Sequence, residues 1–250
     1  MRTKLTRSST RKSFLIGRVR YLGYNDYYMD NNKNQKQYVP DPLQTLSEEQ
    51  YNLLKVIQEE YKKGMIALNS LGIHTLTVYG GAKVQATDKA YHGVEKIAEL
   101  LAKKDWGIVS GGGPGIMTAA LDGAKRGQGK AYAFRINIAG EPPSSAPDLG
   151  ITFTQFSVRK YLLRQSDAFV FAPGGLGTLD ELMELLTLMK TDKYPRKPIF
   201  LYDAKFWAGY MKWFKEILLM ERGTVAEDFL KLFQIVDTPE EVVASLYPSK

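Results

Sequence analysis

Residues 168–190 read AFVFAPGGLGTLDELMELLTLMK, and the fold turns on how this stretch divides. Ala168 to Ala172 is a short, unbroken apolar run with no polar alternation, the pattern of a strand buried on both faces. It stops at Pro173-Gly174-Gly175-Leu176-Gly177, where proline withholds a donor and the glycines permit a tight turn. A helix is predicted over 179–190. The same unit of strand, glycine turn and helix recurs upstream. TLTVY at 75–79 runs into Gly80-Gly81 and a helical stretch near 87–104, and GIV at 107–109 runs into Gly111-Gly112-Gly113-Pro114-Gly115 and a helix over 115–126.

Further strand candidates are 131–138, 151–156, 198–202 and 232–236, separated by helical patterns near 159–165, 206–222 and 239–246. Apolar strands alternating with helices predict a parallel sheet covered on both faces. The expected architecture is a single doubly wound, Rossmann-like α/β domain with a mainly parallel sheet, spanning 46–250. A helix over 48–71, with Tyr51, Leu54, Ile57, Tyr61, Met65 and Leu68 on one face, opens it. Residues 1–45 read as a basic, polar extension.

That extension accounts for the charge. The chain carries 34 basic and 27 acidic residues, a net charge of +7. Arg2, Lys4, Arg7, Arg11, Lys12, Arg18 and Arg20 fall in the first 20 residues with no acid, so the remaining 27 basic and 27 acidic residues balance. A globule without excess charge argues against nucleic acid as the partner. With no cysteine, disulfides, thiolate nucleophiles and zinc ribbons are excluded, and a reducing, cytoplasmic setting is expected. His74 and His92 are the only histidines and carry no HExxH pattern, so they read as packing or surface residues rather than metal ligands. No apolar run approaches the length of a membrane span.

Ligands of doubly wound sheets sit beyond the carboxyl ends of the strands, where helix N-termini and glycine turns receive anions. Three glycine turns at such ends predict phosphate binding. The triphosphate pattern GxxxxGK[ST] is absent, and GxGxxG fails at Thr118 and Asp180, which disfavours ATP and NAD. A smaller ligand with one phosphate remains.

Thr178 followed by Glu181 has the spacing of a capping box, the structural reading of both residues. The functional reading places the Glu181 carboxylate in the first helical turn beside the phosphate loop, with Asp180 turned about 100° away. In FSVRK at 156–160, Arg159 is set to grip a phosphate through its guanidinium fork. Lys160, Arg164 and Arg126 read as solvated charges, and Arg135 as the mark of an edge strand.

SGGGPGIM at 110–117, FSVRK at 156–160 and PGGLGTLDE at 173–181, with VYGGAK at 78–83, SDAFVF at 166–171 and TPEEV at 238–242, resemble the LONELY GUY family of Rossmann-like phosphoribohydrolases, long labelled lysine decarboxylases. The long helix ahead of the first strand resembles its larger bacterial branch. The resemblance implies hydrolysis of the N-glycosidic bond of a nucleoside 5′-monophosphate, AMP or an N6-modified cytokinin riboside monophosphate, to free base and ribose 5-phosphate. It implies Arg159 and Glu181 as the catalytic pair with Lys160 as motif partner. It also implies Gly174, Gly175, Gly177 and Thr178 as the phosphate cradle, Gly112, Gly113 and Gly115 as a turn bordering the nucleotide, and Asn137 on the adjoining strand. No metal or cofactor is implied, and a homodimer is. Where many relatives read IMEAANRGA, this chain has IMTAALDGA at 116–124, a departure that touches substrate choice more than reaction class. The alternative is a non-catalytic carrier of a nucleotide or phosphorylated cofactor such as the molybdenum cofactor. Decarboxylation through pyridoxal phosphate finds no lysine in a Schiff-base context.

Overall fold

The computed structural model describes residues 46–138, 143 and 147–247, so the expectations for the basic arm lie outside the described residues. The chain divides into units 1–47 and 48–250, and the sheet and its helices all belong to the second.

Seven strands form one sheet: β1 (Thr75–Tyr79), β2 (Gly107–Ser110), β3 (Ala131–Ile136), β4 (Leu149–Phe153), β5 (Ala168–Phe171), β6 (Ile199–Tyr202) and β7 (Gln234–Val236). Their order is β4-β3-β2-β1-β5-β6-β7 and every pairing is parallel. The chain therefore winds outward from β1 to one edge, then returns to β5 at the other side of β1. That reversal opens a crevice at the carboxyl ends of β1 and β5. The helices are α1 (Glu48–Asn69), α2 (Lys89–Ala102), α3 (Ile116–Arg126), α4 (Phe156–Leu163), α5 (Leu176–Lys190), α6 (Ala204–Trp213) and α7 (Pro239–Leu246). No described helix is long and apolar enough to cross a membrane.

The central strands are buried at every position of β1, β2, β5 and β6, as their unbroken apolar runs require. Two cores result, one on each face. Phe134, Phe153, Phe169, Phe171 and Trp207 fill one, and Leu76, Val78, Ile97, Ile108 and Phe200 the other. Thr77, a polar residue in β1, is satisfied internally by Ser166 and the Leu163 carbonyl, each at 2.7 Å.

Several boundaries differ from the sequence reading. β4 runs 149–153 rather than 151–156, because 156–158 already belong to α4. The predicted helix over 206–222 is α6 followed by a π-helical segment, Phe214–Glu221. The expected strand start at 232 is a 3₁₀ turn, Glu227–Leu232, that places Phe229 and Leu232 in the core. β3 lies between β2 and β4, so Arg135 is not an edge residue.

Candidate active site

The three glycine turns follow β1, β2 and β5, which stand side by side at the crevice. Backbone bonds lock them together: Gly81 N–H donates to Pro173 O at 2.9 Å, and Ile116 N–H donates to Gly81 O at 3.2 Å. Gly115 is held at φ +66°, and a Cβ there would lie 2.4 Å from Gly81 O, so this glycine is required by the interlock itself. Gly115 does not line the crevice, against the expectation that it borders the ligand. Gly174 is also structural, since a Cβ would fall 2.2 Å from Thr178 Oγ1. Gly175 and Gly177 differ: nothing lies within 4 Å of where their Cβ atoms would stand. Packing does not explain these two, and both face the cleft.

α5 begins at Leu176 with Gly175 as its N-cap and no side-chain cap. The capping box foreseen for Thr178 and Glu181 is therefore absent. The helix starts earlier than its glycines suggest, so Thr178 is its third residue and Glu181 lies in its second turn. The uncapped first N–H groups and the positive dipole end are presented at the cleft, a ready site for an anion.

The cleft holds about 1370 Å³. It brings together Gly112, Gly113, Asn137, Arg159, Lys160, Gly174, Gly175, Gly177, Thr178 and Glu181, that is, every site residue expected from sequence except Gly115. The sequence reading missed Arg135, Phe156, Phe206 and the loop from Ala82 to Asp88, which also line it. Phe156 opens α4 and is 55% exposed, an aromatic face turned out beside the charged residues. Its place three residues before Arg159, at the head of FSVRK, was the available signal.

Arg159 is buried on α4. Its Nε–H donates to Phe134 O at 2.8 Å and its Nη1 to Glu181 Oε1 at 3.2 Å. Nη2 lies against Gly111, where a Cβ would come within 2.3 Å of it. With two nitrogens on protein acceptors, the guanidinium is not offered to the cleft as the open fork foreseen for a phosphate. It instead ties β3, α4 and α5 together, through the Phe134 carbonyl and the Glu181 carboxyl.

The Glu181 side chain is only 13% exposed. Burial raises its pKa to about 7, with Asp180 adding to the rise and the Arg159 and Lys160 charges opposing it. A carboxyl that exchanges its proton near neutrality, on the wall of a cleft, is suited to acid/base work.

Lys160 and Arg164 are not the solvated charges their sequence context suggested. Lys160 Nζ donates to Asp180 Oδ2 at 2.9 Å and pairs with Glu184 Oε2 at 2.7 Å. Arg164 Nη1 pairs with Glu184 Oε1 at 2.5 Å and stacks over the Tyr161 ring. Burial disfavours the Lys160 ammonium, but its bonds to Glu184 and Asp180 outweigh that and hold its pKa above the usual lysine range. Arg126 does remain largely exposed, paired with Glu95 at 2.8 Å. Among the described residues no three His, Asp or Glu side chains cluster so as to hold a metal ion.

The family described as possible lysine decarboxylase matches residues 117–246, just over half of the chain. The chain belongs to this family. It is 28% identical over 168 residues to a cytokinin riboside 5′-monophosphate phosphoribohydrolase of Mycobacterium tuberculosis, covering 62% of this chain and 83% of that protein. It is 25% identical over 183 residues to the pyrimidine/purine nucleotide 5′-monophosphate nucleosidase of Escherichia coli, covering 68% of this chain but 39% of that one. Among solved structures, the molybdenum cofactor binding protein of Rippkaea orientalis superposes with a TM-score of 0.53 at 22% identity, over 70% of this chain and 97% of that one, a likeness of fold.

Proposed function

We propose that the protein hydrolyses the N-glycosidic bond of a nucleoside 5′-monophosphate, with AMP or an N6-modified adenosine monophosphate as substrate, releasing the base and ribose 5-phosphate. The observation that carries this reading is Glu181, a buried carboxyl with a pKa near 7, bound by Arg159 on the same cleft wall as an uncapped helix N-terminus. The 5′-phosphate is received by the first N–H groups of α5, over Gly175 and Gly177. The base lies against Phe156, and the ribose between them meets Glu181.

As the C1′–N bond lengthens, its electron pair leaves with the base and positive charge develops on the ribose. The Glu181 carboxylate stabilises that charge and takes a proton from the water that adds at C1′. The proton taken by Glu181 passes on to the departing base, which returns the carboxylate and consumes one water for each base released. Arg159 positions that carboxylate through its Nη1, and Lys160, held by Asp180 and Glu184, takes no part in the bond changes. Because the phosphate anchors the substrate away from the reacting carbon, its binding energy holds C1′ in place.

We further propose a cytoplasmic homodimer. The exposed apolar residues Tyr51, Leu54 and Ile66 of α1 and Leu176 of α5 support a subunit contact. The test of the reaction is incubation with AMP, isopentenyladenosine monophosphate, GMP, CMP and adenosine, following free base by chromatography. Release from a monophosphate but not from adenosine supports the reading, and the ranking defines the substrate. Binding of all the nucleotides without release from any replaces it with a carrier.

A further inference from the structure

Behind the Arg159–Glu181 pair stands a second layer of charge to which the proposed chemistry gives no task. Glu184 lies one turn beyond Glu181 on α5, and Arg164, the C-cap of α4, one turn beyond Lys160. Glu184 is the hub of this layer: one carboxylate oxygen accepts from Lys160 at 2.7 Å and the other from Arg164 at 2.5 Å. Lys160 continues the chain to Asp180 at 2.9 Å. The Lys160, Arg164 and Glu184 side chains are 20%, 19% and 29% exposed, so the layer is not a solvated surface pair of negligible effect.

A small space of about 10 Å³ is lined by Tyr79, Lys160, Arg164, Glu181, Glu184 and Leu185. Arg164 Nε is buried with no acceptor among the described residues. The space is about what one water needs, and several polar groups surround it.

We propose that Glu184 is a positioning residue for Glu181: by clamping Lys160 and Arg164 to one carboxylate, it fixes α4 against α5 directly behind the Arg159–Glu181 contact. Its kinetic consequence rests on the hydrolase reading above; its electrostatic consequence does not. The charged and titratable groups around Glu181 are Arg159 and Lys160 from α4, Arg164 just past its end, Asp180 and Glu184 from its own helix, and the Tyr79 phenol from β1. Glu184 offsets the Lys160 charge. Neutralising Glu184 leaves that cation less compensated, which favours the Glu181 carboxylate and moves its titration to lower pH.

The test uses Glu184→Gln, Arg164→Gln and the double variant in the full chain, with urea unfolding to verify that each is folded. Carboxyl-¹³C NMR of glutamate-labelled protein, with the Glu181 signal identified by its loss in Glu181→Gln, reads the titration without any need for turnover. The Glu181 midpoint is expected to fall by roughly half to one pH unit in Glu184→Gln, from charges a helical turn apart. For base release, kcat is expected to fall about tenfold with KM within about threefold, as for a displaced catalytic group. The double variant is expected to be no worse than the worse single variant, since both break one chain. An unchanged Glu181 titration in folded Glu184→Gln overturns the proposal, whether or not the wild type turns over. So does an unaltered kcat in an active enzyme. A wild type that releases no base removes the hydrolase reading instead, and the NMR titration still decides the role of Glu184.

Discussion

Replacing Glu181 by Gln should stabilise the protein at alkaline pH and not at acid pH. The carboxyl titrates at about 7 in the folded protein against an ordinary 4.5, because burial outweighs the attraction of Arg159. A pKa raised on folding means that the folded state holds the proton more tightly than the unfolded chain. Stability from this group is therefore complete below about pH 4.5 and is lost as pH rises through about 7. The interval of about 2.5 pH units at about 1.4 kcal/mol each corresponds to about 3–4 kcal/mol. Gln resembles the protonated carboxyl in size and can still accept from Arg159, so the variant escapes this loss. Urea unfolding of wild type and Glu181→Gln at pH 4, 5, 6, 7 and 8 should give similar stabilities at pH 4, a variant advantage of about 1 kcal/mol at pH 5 and one of about 3 kcal/mol at pH 8. Parallel pH dependences would refute the reasoning. A wild type gaining on the variant with rising pH would show that the Arg159 pair dominates and that the carboxyl is depressed.

The same geometry sets further outcomes. Gly177→Ala, in a helical position with nothing within 4 Å, should leave stability unchanged or raised by up to about 1 kcal/mol while weakening nucleotide binding, as calorimetry and titration would show. Gly115→Ala, at φ +66° and 2.4 Å from a carbonyl oxygen, should lose at least about 1–3 kcal/mol in urea unfolding. Phe156→Ala should weaken nucleotide binding by about 1–3 kcal/mol if the base stacks there, with ribose 5-phosphate binding unaffected. Arg159→Lys keeps a charge but cannot serve both Phe134 O and Glu181, and base release should fall by about 100-fold at unchanged fold.

The parallel sheet was legible because β1 and β5 announce themselves as apolar runs cut short by glycine. The α5 start was not. Leu176 is 86% exposed and sits between two glycines, so 174–177 reads as loop although the helix has begun. That error of three residues made Glu181 look like a capping residue. Lys160 and Arg164 were misjudged for a different reason: considered singly, each is an ordinary helical cation, and their shared partner Glu184 lies 20 or more residues away on another helix. The pairing exists only once α4 and α5 pack. Phe156 carried no sequence signal beyond its neighbourhood, and β4, with only two of its five positions buried, lacked the continuous apolar run that marked the central strands.

The most direct measurement incubates purified protein with AMP and quantifies adenine and ribose 5-phosphate together, beside adenosine as substrate and Glu181→Gln as enzyme. Equimolar adenine and ribose 5-phosphate from AMP, little from adenosine and almost none with the variant are the predicted results. Bound AMP recovered intact, or adenosine and inorganic phosphate as products, would contradict the account.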